Sequence, residues 1–258
     1  MIRLKVIVSF SGGKDSTCML LEMIRRKEPI DEVVFFDTGW EFPQMYEHIE
    51  RVKRIVEDAG IKFTTLHTDV SFDYLMFEVP VKDGKHYGYS WCGFKGCRWG
   101  TTCKLRVINN YFKNEPEHIQ CVGIAIDEPE RLAKERKGNK RFPLAEYGFT
   151  EADCLKYCYE LGFDWGGLYK LLDRVSCKYC GLKNLKELRN IYIHIPDVWK
   201  ELRDYQSRTR FPYRSNGETV FDLEKRFDLQ GEFETQGKSI RSKEFYNELR
   251  RRQEYTTN

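Results

Sequence analysis

The chain lacks most features that would direct it to a membrane or out of the cell. No apolar run approaches the length of a bilayer span. Met1-Ile2-Arg3-Leu4-Lys5 passes straight into a strand pattern, so no leader peptide is expected. Nine cysteines without a secretory signal are then expected to be reduced thiols, metal ligands or catalytic groups, and the expected compartment is the cytoplasm. Excess charge is missing too: a formal +3 over 258 residues does not by itself argue for nucleic-acid binding. No internal repeat or low-complexity linker marks a sharp domain boundary. Two phosphate-binding signatures are also absent. The Walker loop needs separated glycines and a Ser or Thr directly after its lysine. The dinucleotide fingerprint needs glycines at its first, third and sixth positions.

What is present is Ser9-Phe10-Ser11-Gly12-Gly13-Lys14-Asp15-Ser16-Thr17, directly after the apolar run Val6-Ile7-Val8. The pattern predicts a strand, a tight glycine turn, and a helix from Ser16 or Thr17 with Met19, Leu20, Leu21 and Ile24 on its buried side. Such a turn aims unpaired N–H groups and the positive end of a helix dipole at one spot. Adjacent glycines let a ligand approach the backbone without a Cβ in the way. This cradle suits a phosphate or pyrophosphate. Ser-Gly-Gly-Lys-Asp-Ser resembles the signature of the PP-loop ATP pyrophosphatases, which bind ATP and split it between the α- and β-phosphates.

Strand and helix patterns alternate through the first third. Strands are expected at Lys5–Ser9, Glu32–Asp37, Lys62–Leu66 and His118–Ile126, with helices at Thr17–Lys27 and Pro43–Ala59, the second ended by Gly60. At 41% hydrophobic the chain can bury a core, and the alternation implies an α/β fold with a parallel sheet and right-handed crossovers. Ligands gather at the carboxyl ends of such strands, here Ser9 to Ser16, Asp37 to Glu41 and Asp127 to Arg131. Periodicity is lost from Asp69 to Gly100. It turns helical again at Thr150, where Thr150 and Asp153 resemble a capping box, and further helices are expected at Leu182–Ile193 and Pro196–Gln206. The expected division is a nucleotide-binding α/β domain over 1–149 and a smaller, helical, cysteine-rich part over 150–258.

Three further segments resemble the phosphoadenosine-phosphosulfate reductase branch of the PP-loop proteins. They are Phe36-Asp37-Thr38-Gly39-Trp40-Glu41-Phe42-Pro43, then Gly123-Ile124-Ala125-Ile126-Asp127-Glu128-Pro129-Glu130-Arg131, then Phe142-Pro143-Leu144 with Gly167-Leu168-Tyr169. The similarity covers roughly residues 5 to 195, and it implies a Rossmann-like, adenine nucleotide alpha hydrolase-like fold. It also implies an adenine-nucleotide site made of Ser9, Ser11, Gly12, Gly13, Lys14, Asp15, Ser16, Thr17, Asp37, Thr38, Gly39, Gly123, Asp127 and Glu128. Lys14, Asp15 and Arg131 are the candidate catalytic residues. Lys14 would offset phosphate charge, and Arg131 would offer a planar fork to a phosphate or sulfate. Asp15 is either a Mg²⁺ contact or a helix N-terminal carboxylate, and Asp37 is either an adenosine contact or a strand-end turn residue.

The cysteines are a second signal. Cys92 and Cys97, with Cys177 and Cys180, can complete a tetrahedral four-thiolate site, and zinc and a 4Fe–4S cluster both suit it. Lys95, Arg98 and Lys178 nearby would favour the thiolates. Cys103 is a spare ligand, an alternative ligand or a nucleophile. Cys18, Cys121, Cys154 and Cys158 read as small buried hydrophobes. Lys95, Arg98, Lys104 and Arg106, interleaved with Tyr87, Tyr89, Trp91, Phe94 and Trp99, suit an anionic substrate or a single-stranded nucleic acid. Reductases of this branch use a nucleophilic cysteine in a C-terminal tail; none follows Cys180, and Gly100 stands where many relatives have cysteine.

The leading expectation is therefore an enzyme that binds ATP with Mg²⁺ and forms an adenylylated substrate with release of pyrophosphate, in sulfur transfer or in nucleotide or nucleic-acid modification. One alternative is a phosphoadenosine- or adenosine-phosphosulfate reductase. Another is a non-catalytic nucleotide-binding subunit of a nucleic-acid-modifying complex. Expected partners are an adenine nucleotide, an anionic small-molecule or nucleic-acid substrate, and a sulfur-donor or modification-complex protein. No membrane partner is expected, and a homo-oligomer stays open.

Overall fold

A computed structural model describes residues 3–82, 84–91, 99, 103–115, 117–135 and 138–254. In chain order the elements are β1 (Lys5–Phe10), α1 (Lys14–Arg25), β2 (Glu32–Phe36), α2 (Pro43–Asp58), β3 (Lys62–Leu66), α3 (Phe72–Phe77), β4 (Pro80–Val81), β5 (His86–Tyr87) and α4 (Leu105–Lys113). They continue with β6 (His118–Val122), α5 (Pro129–Glu135), β7 (Lys140–Arg141), α6 (Pro143–Tyr147), α7 (Glu151–Glu160), α8 (Leu168–Leu171), α9 (Leu185–His194), α10 (Pro196–Ser207), α11 (Val220–Thr235) and α12 (Lys243–Glu254). Among the described residues no helix is long and apolar enough to cross a membrane.

The chain divides into two compact units, Met1–Asp69 with Gly100–Lys178, and Val70–Trp99 with Tyr179–Asn258. The first holds a five-stranded sheet in the order β3-β2-β1-β6-β7, parallel throughout. Val6, Ile7, Val8 and Phe10 of β1 are buried, as is every residue of β2, as strands covered on both faces require. The connections run from β1 outward through β2 to β3, then return to β6 on the other side of β1. Strand order therefore reverses at β1, and the crevice above that reversal is where open α/β sheets bind ligands.

Residues 150–178 belong to this first unit and not, as the sequence suggested, with the C-terminal helices. The cause is packing: α7 lies on α1, with Cys18, Cys154 and Cys158 all at 0% exposure, and the Cys158 thiol sits 3.6 Å from the Lys14 carbonyl oxygen. Thr150 and Asp153 do form the expected capping box. The expected strand over His118–Ile126 stops at Val122, because the Ile124 amide turns back to the Val122 carbonyl and the Ile126 amide bonds to Phe149.

The second unit gathers α3, the β4–β5 hairpin and α9 to α12. Tyr205 donates to Asp73 at 2.7 Å, Ser90 and Thr209 share a 2.8 Å hydrogen bond, and Trp91 meets Tyr213 edge-on at 4.9 Å. These contacts tie residues 70–91, where the sequence shows no periodicity, to the later helices. Leu229, Phe233, Phe245 and Leu249 close a separate small core between α11 and α12.

Candidate nucleotide site

α1 begins at Lys14, two or three residues earlier than the sequence pattern suggested, because Gly13 is its extended N-cap at φ −76° and ψ 167°. Lys14, Asp15 and Ser16 are thus the first turn, where amides have no intrahelical acceptor. The Lys14 amide donates to the Tyr169 hydroxyl at 2.8 Å. Those of Gly13, Asp15 and Ser16 have no acceptor among the described residues. Ser16 ties the turn: its hydroxyl accepts from the Ser11 amide at 3.1 Å and donates to the Gly13 carbonyl at 3.1 Å.

These amides border a cavity of about 620 Å³ at the carboxyl ends of β1, β2 and β6. Of the residues singled out from sequence, Ser9, Ser11, Gly13, Lys14, Asp15, Ser16, Gly123, Glu128 and Arg131 line it. The remaining wall is apolar from Phe10, Val34, Phe36, Ile108, Phe112 and Val122, and charged from Lys104, Glu151, Asp173 and Arg174.

The two glycines have different jobs. Gly12 has φ 78°, and a Cβ there would come within 2.9 Å of the Met45 methyl. Gly13 has ordinary dihedrals, and its Cβ would meet nothing nearer than 3.5 Å, so it leaves room rather than enabling the turn. Gly123 is fixed by close approach: a Cβ would lie 3.0 Å from the Ser16 nitrogen and 3.1 Å from the Asp15 carbonyl carbon.

Charges converge on the same wall. Lys14 Nζ pairs with Asp15 at 2.9 Å and Glu151 at 2.8 Å. Burial pulls the ammonium pKa down, but the hydrogen bonds from Glu151 and Asp15 outweigh it and the value lies above the ordinary one. Burial pushes the Asp15 carboxyl up against the pull of Lys14, with Glu151 and Glu128 adding to the rise. Arg131 lies 2.8 Å from Glu128 on the exposed rim.

The other sequence candidates stand elsewhere. Thr17 is fully buried and shares a 3.0 Å hydrogen bond with His48, whose pKa burial and Arg51 lower to about 4. Asp37 accepts from the Gly39 amide at 2.8 Å and from Tyr46 at 2.9 Å, which is the strand-end turn reading. Thr38 donates to Glu41 at 2.7 Å, and the Cys177 thiol lies 3.8 Å from its hydroxyl. Asp127 accepts from the Glu151 amide and so holds the start of α7. Gly12, Thr17, Asp37, Thr38, Gly39 and Asp127 do not line the cavity.

Cys92 and Cys97 lie outside the described residues. Among the described ones no cluster of three or more His, Cys, Asp or Glu forms a metal site. Cys177 and Cys180 are half-buried and give two thiols, which is half of a four-ligand set. Sequence reasoning missed Trp165 as a site residue and used Tyr169 only for the resemblance. Trp165 donates to the Gly12 carbonyl at 2.8 Å, and the positional signal was the Gly166-Gly167 pair beside it.

The chain also resembles known proteins in sequence. The uncharacterized protein MJ0066 of Methanocaldococcus jannaschii is 26% identical over 222 residues, which is 80% of this chain and 43% of that protein. The nin region protein ORF290 of Escherichia phage lambda is 29% identical over 185 residues, 61% of this chain and 60% of its own. The chain therefore spans less than two thirds of the length of either relative. Among solved structures, the U34-tRNA thiolase NcsA from Methanococcus maripaludis with its 4Fe-4S cluster matches 80% of this chain and 73% of its own, at 16% identity and a TM-score of 0.46. The family profile of the phosphoadenosine phosphosulfate reductase domain matches residues 5–210, from the first residue of β1 to beyond the end of α10. The chain belongs to that domain family, within the PP-loop proteins.

Proposed function

We propose that this protein binds ATP in the β1–α1 cradle and activates an acceptor by adenylyl transfer. The observation that carries the reading is the set of unpaired amides of Gly13, Asp15 and Ser16 on the cavity wall, at the strand-order reversal. The phosphates accept from those amides, with Lys14 and Arg131 offsetting their charge. Asp15 and Glu151, which pair with Lys14, would hold a Mg²⁺ ion that would offset phosphate charge. The apolar wall of Phe36, Ile108 and Phe112 receives the base.

The acceptor's nucleophilic atom attacks the α-phosphorus as the bond to the bridging oxygen breaks. That electron pair leaves with pyrophosphate, and the acceptor loses its proton to solvent. Charge stabilisation and positioning do the catalysis. Sulfur transfer or nucleotide or nucleic-acid modification is the proposed setting, with a sulfur donor or a modification-complex protein as partner. Pyrophosphate release from ATP tests the reading: Lys14→Ala should lower it at least about tenfold, and equal rates in the two proteins would defeat it.

The family match favours a second reading, reduction of phosphoadenosine phosphosulfate to sulfite. Such chemistry needs an accessible thiolate. The thiols beside the cradle are unsuited: the neighbouring Cys18 thiol and burial raise the pKa of Cys154, and burial raises that of Cys158. Sulfite release with a thiol reductant would decide for the reductase. The four-cysteine site stays a proposal for zinc or a 4Fe–4S cluster, which metal and acid-labile sulfide content of anaerobically purified protein would distinguish.

A further inference from the structure

The segment after α7 sends two aromatic side chains to either flank of Gly13. Trp165 is 2% exposed, and its Nε1–H reaches the Gly12 carbonyl at 2.8 Å. The Tyr169 hydroxyl accepts from the Lys14 amide at 2.8 Å, and its ring stands edge-on to Trp165 at 4.8 Å. On its other side Trp165 stacks on His48 at 4.5 Å. The backbone here is not relaxed: Trp165, Gly166 and Gly167 have φ of 52°, 58° and 82°. A bulky residue in the left-handed region is strained and persists only where its surroundings over-determine it.

The consequence lies in peptide orientation. The Gly12–Gly13 bond is trans, so its carbonyl and N–H point in opposite directions. Trp165 holds the carbonyl at Gly12, which does not line the cavity, so the N–H of the cavity-lining Gly13 points away from the indole. On the other flank Tyr169 uses up the Lys14 amide, while the hydroxyl's own proton has no acceptor among the described residues. Tyr169 also lines the cavity, and a hydroxyl that accepts one hydrogen bond is a stronger donor in the next.

We propose that this aromatic bracket sets the polarity of the phosphate cradle. Trp165 is a positioning residue that fixes the Gly13 amide toward the anion. Tyr169 is an anion-binding residue whose hydroxyl takes the place of the Lys14 amide. The inference rests on the nucleotide reading above.

Calorimetric titration of the full chain with inorganic tripolyphosphate, and separately with adenosine, tests it. Trp165→Phe keeps the ring stack and Tyr169→Phe keeps the edge contact. Each should weaken tripolyphosphate binding about tenfold, the size of one hydrogen bond to a charged group, with adenosine binding unchanged. In Trp165→Phe the Gly13 amide resonance should also move and lose its response to tripolyphosphate. Tighter binding by Tyr169→Phe would mean that the hydroxyl merely competes for the Lys14 amide, and it would overturn the proposal. So would equal losses for both probes, which is the mark of disturbed packing. Should Trp165→Phe not fold, Tyr169→Phe carries the test alone. Wild-type protein that binds neither ATP nor tripolyphosphate would sink the nucleotide reading itself. Wild-type binding with unchanged variants would sink only the bracket.

Discussion

At the scale of single residues, the cradle separates what the turn needs from what a ligand needs. Gly12→Ala places a Cβ at φ 78° and 2.9 Å from Met45, so urea unfolding should report a loss of about 1–3 kcal/mol. Gly13→Ala meets no close atom and should unfold like the parent, yet it should weaken ATP binding several-fold because its methyl group stands among the unpaired amides. A pair of variants that lost stability equally would contradict this division. The sequence showed that two glycines stand together; it could not show which one was conformational, since that depends on Met45, more than thirty residues away. Trp165 and Tyr169 were illegible as cradle residues for the same reason. The Gly166-Gly167 pair marks an unusual backbone there, but nothing local in Asp164-Trp165-Gly166-Gly167 names Gly12 as the partner.

At the scale of elements, local chemistry fixed most of the first unit. The apolar runs gave β1, β2 and β3 within a residue of their ends, and Pro43 and Gly60 framed α2. α1 starts before the expected Ser16 or Thr17, at Lys14, and the Ser16 hydroxyl reaches back to Ser11 and Gly13 from inside its first turn. The close approach of α1 to Gly123, just past β6, makes a prediction here. Gly123→Ala drives a Cβ to 3.0 Å from backbone that cannot swing away, so it should cost about 1–3 kcal/mol and lower ATP affinity together.

The far end of the same strands offers a second test. Glu32, with its side chain fully buried, is held by Lys5 at 2.7 Å and Lys62 at 2.8 Å across β1, β2 and β3. Burial pushes its pKa up, but the lysines outweigh this and lower it to about 2. A depressed carboxyl contributes stability above the unfolded value near 4.5, and that contribution fades as pH falls toward 2. Glu32→Gln should therefore be less stable near pH 7 by roughly 1–2 kcal/mol, the full linkage being reduced by the solvent around the lysines. The gap between the two proteins should close on acidification, and a constant gap in denaturation midpoints from pH 6 to 2 would refute it.

At the scale of the whole molecule, the division into units was the least legible feature. Each unit is assembled from two separated stretches of chain. The contacts that decide membership, such as Tyr205 with Asp73, join residues over a hundred positions apart, where neither periodicity nor composition carries a trace. The α11–α12 pair lies beyond the family match and has its own small core. Phe245→Ala should loosen that core by about 3–5 kcal/mol, seen as faster amide exchange in α12, while ATP binding in the first unit stays unchanged.

The thiols buried where α7 lies on α1 have a use of their own. Cys18, Cys154 and Cys158 expose no surface, so a maleimide can reach them only when the two helices part. Site-resolved alkylation rates would then count how often the glycine turn before α1 loses its support. If ATP holds that turn, the count should drop in its presence.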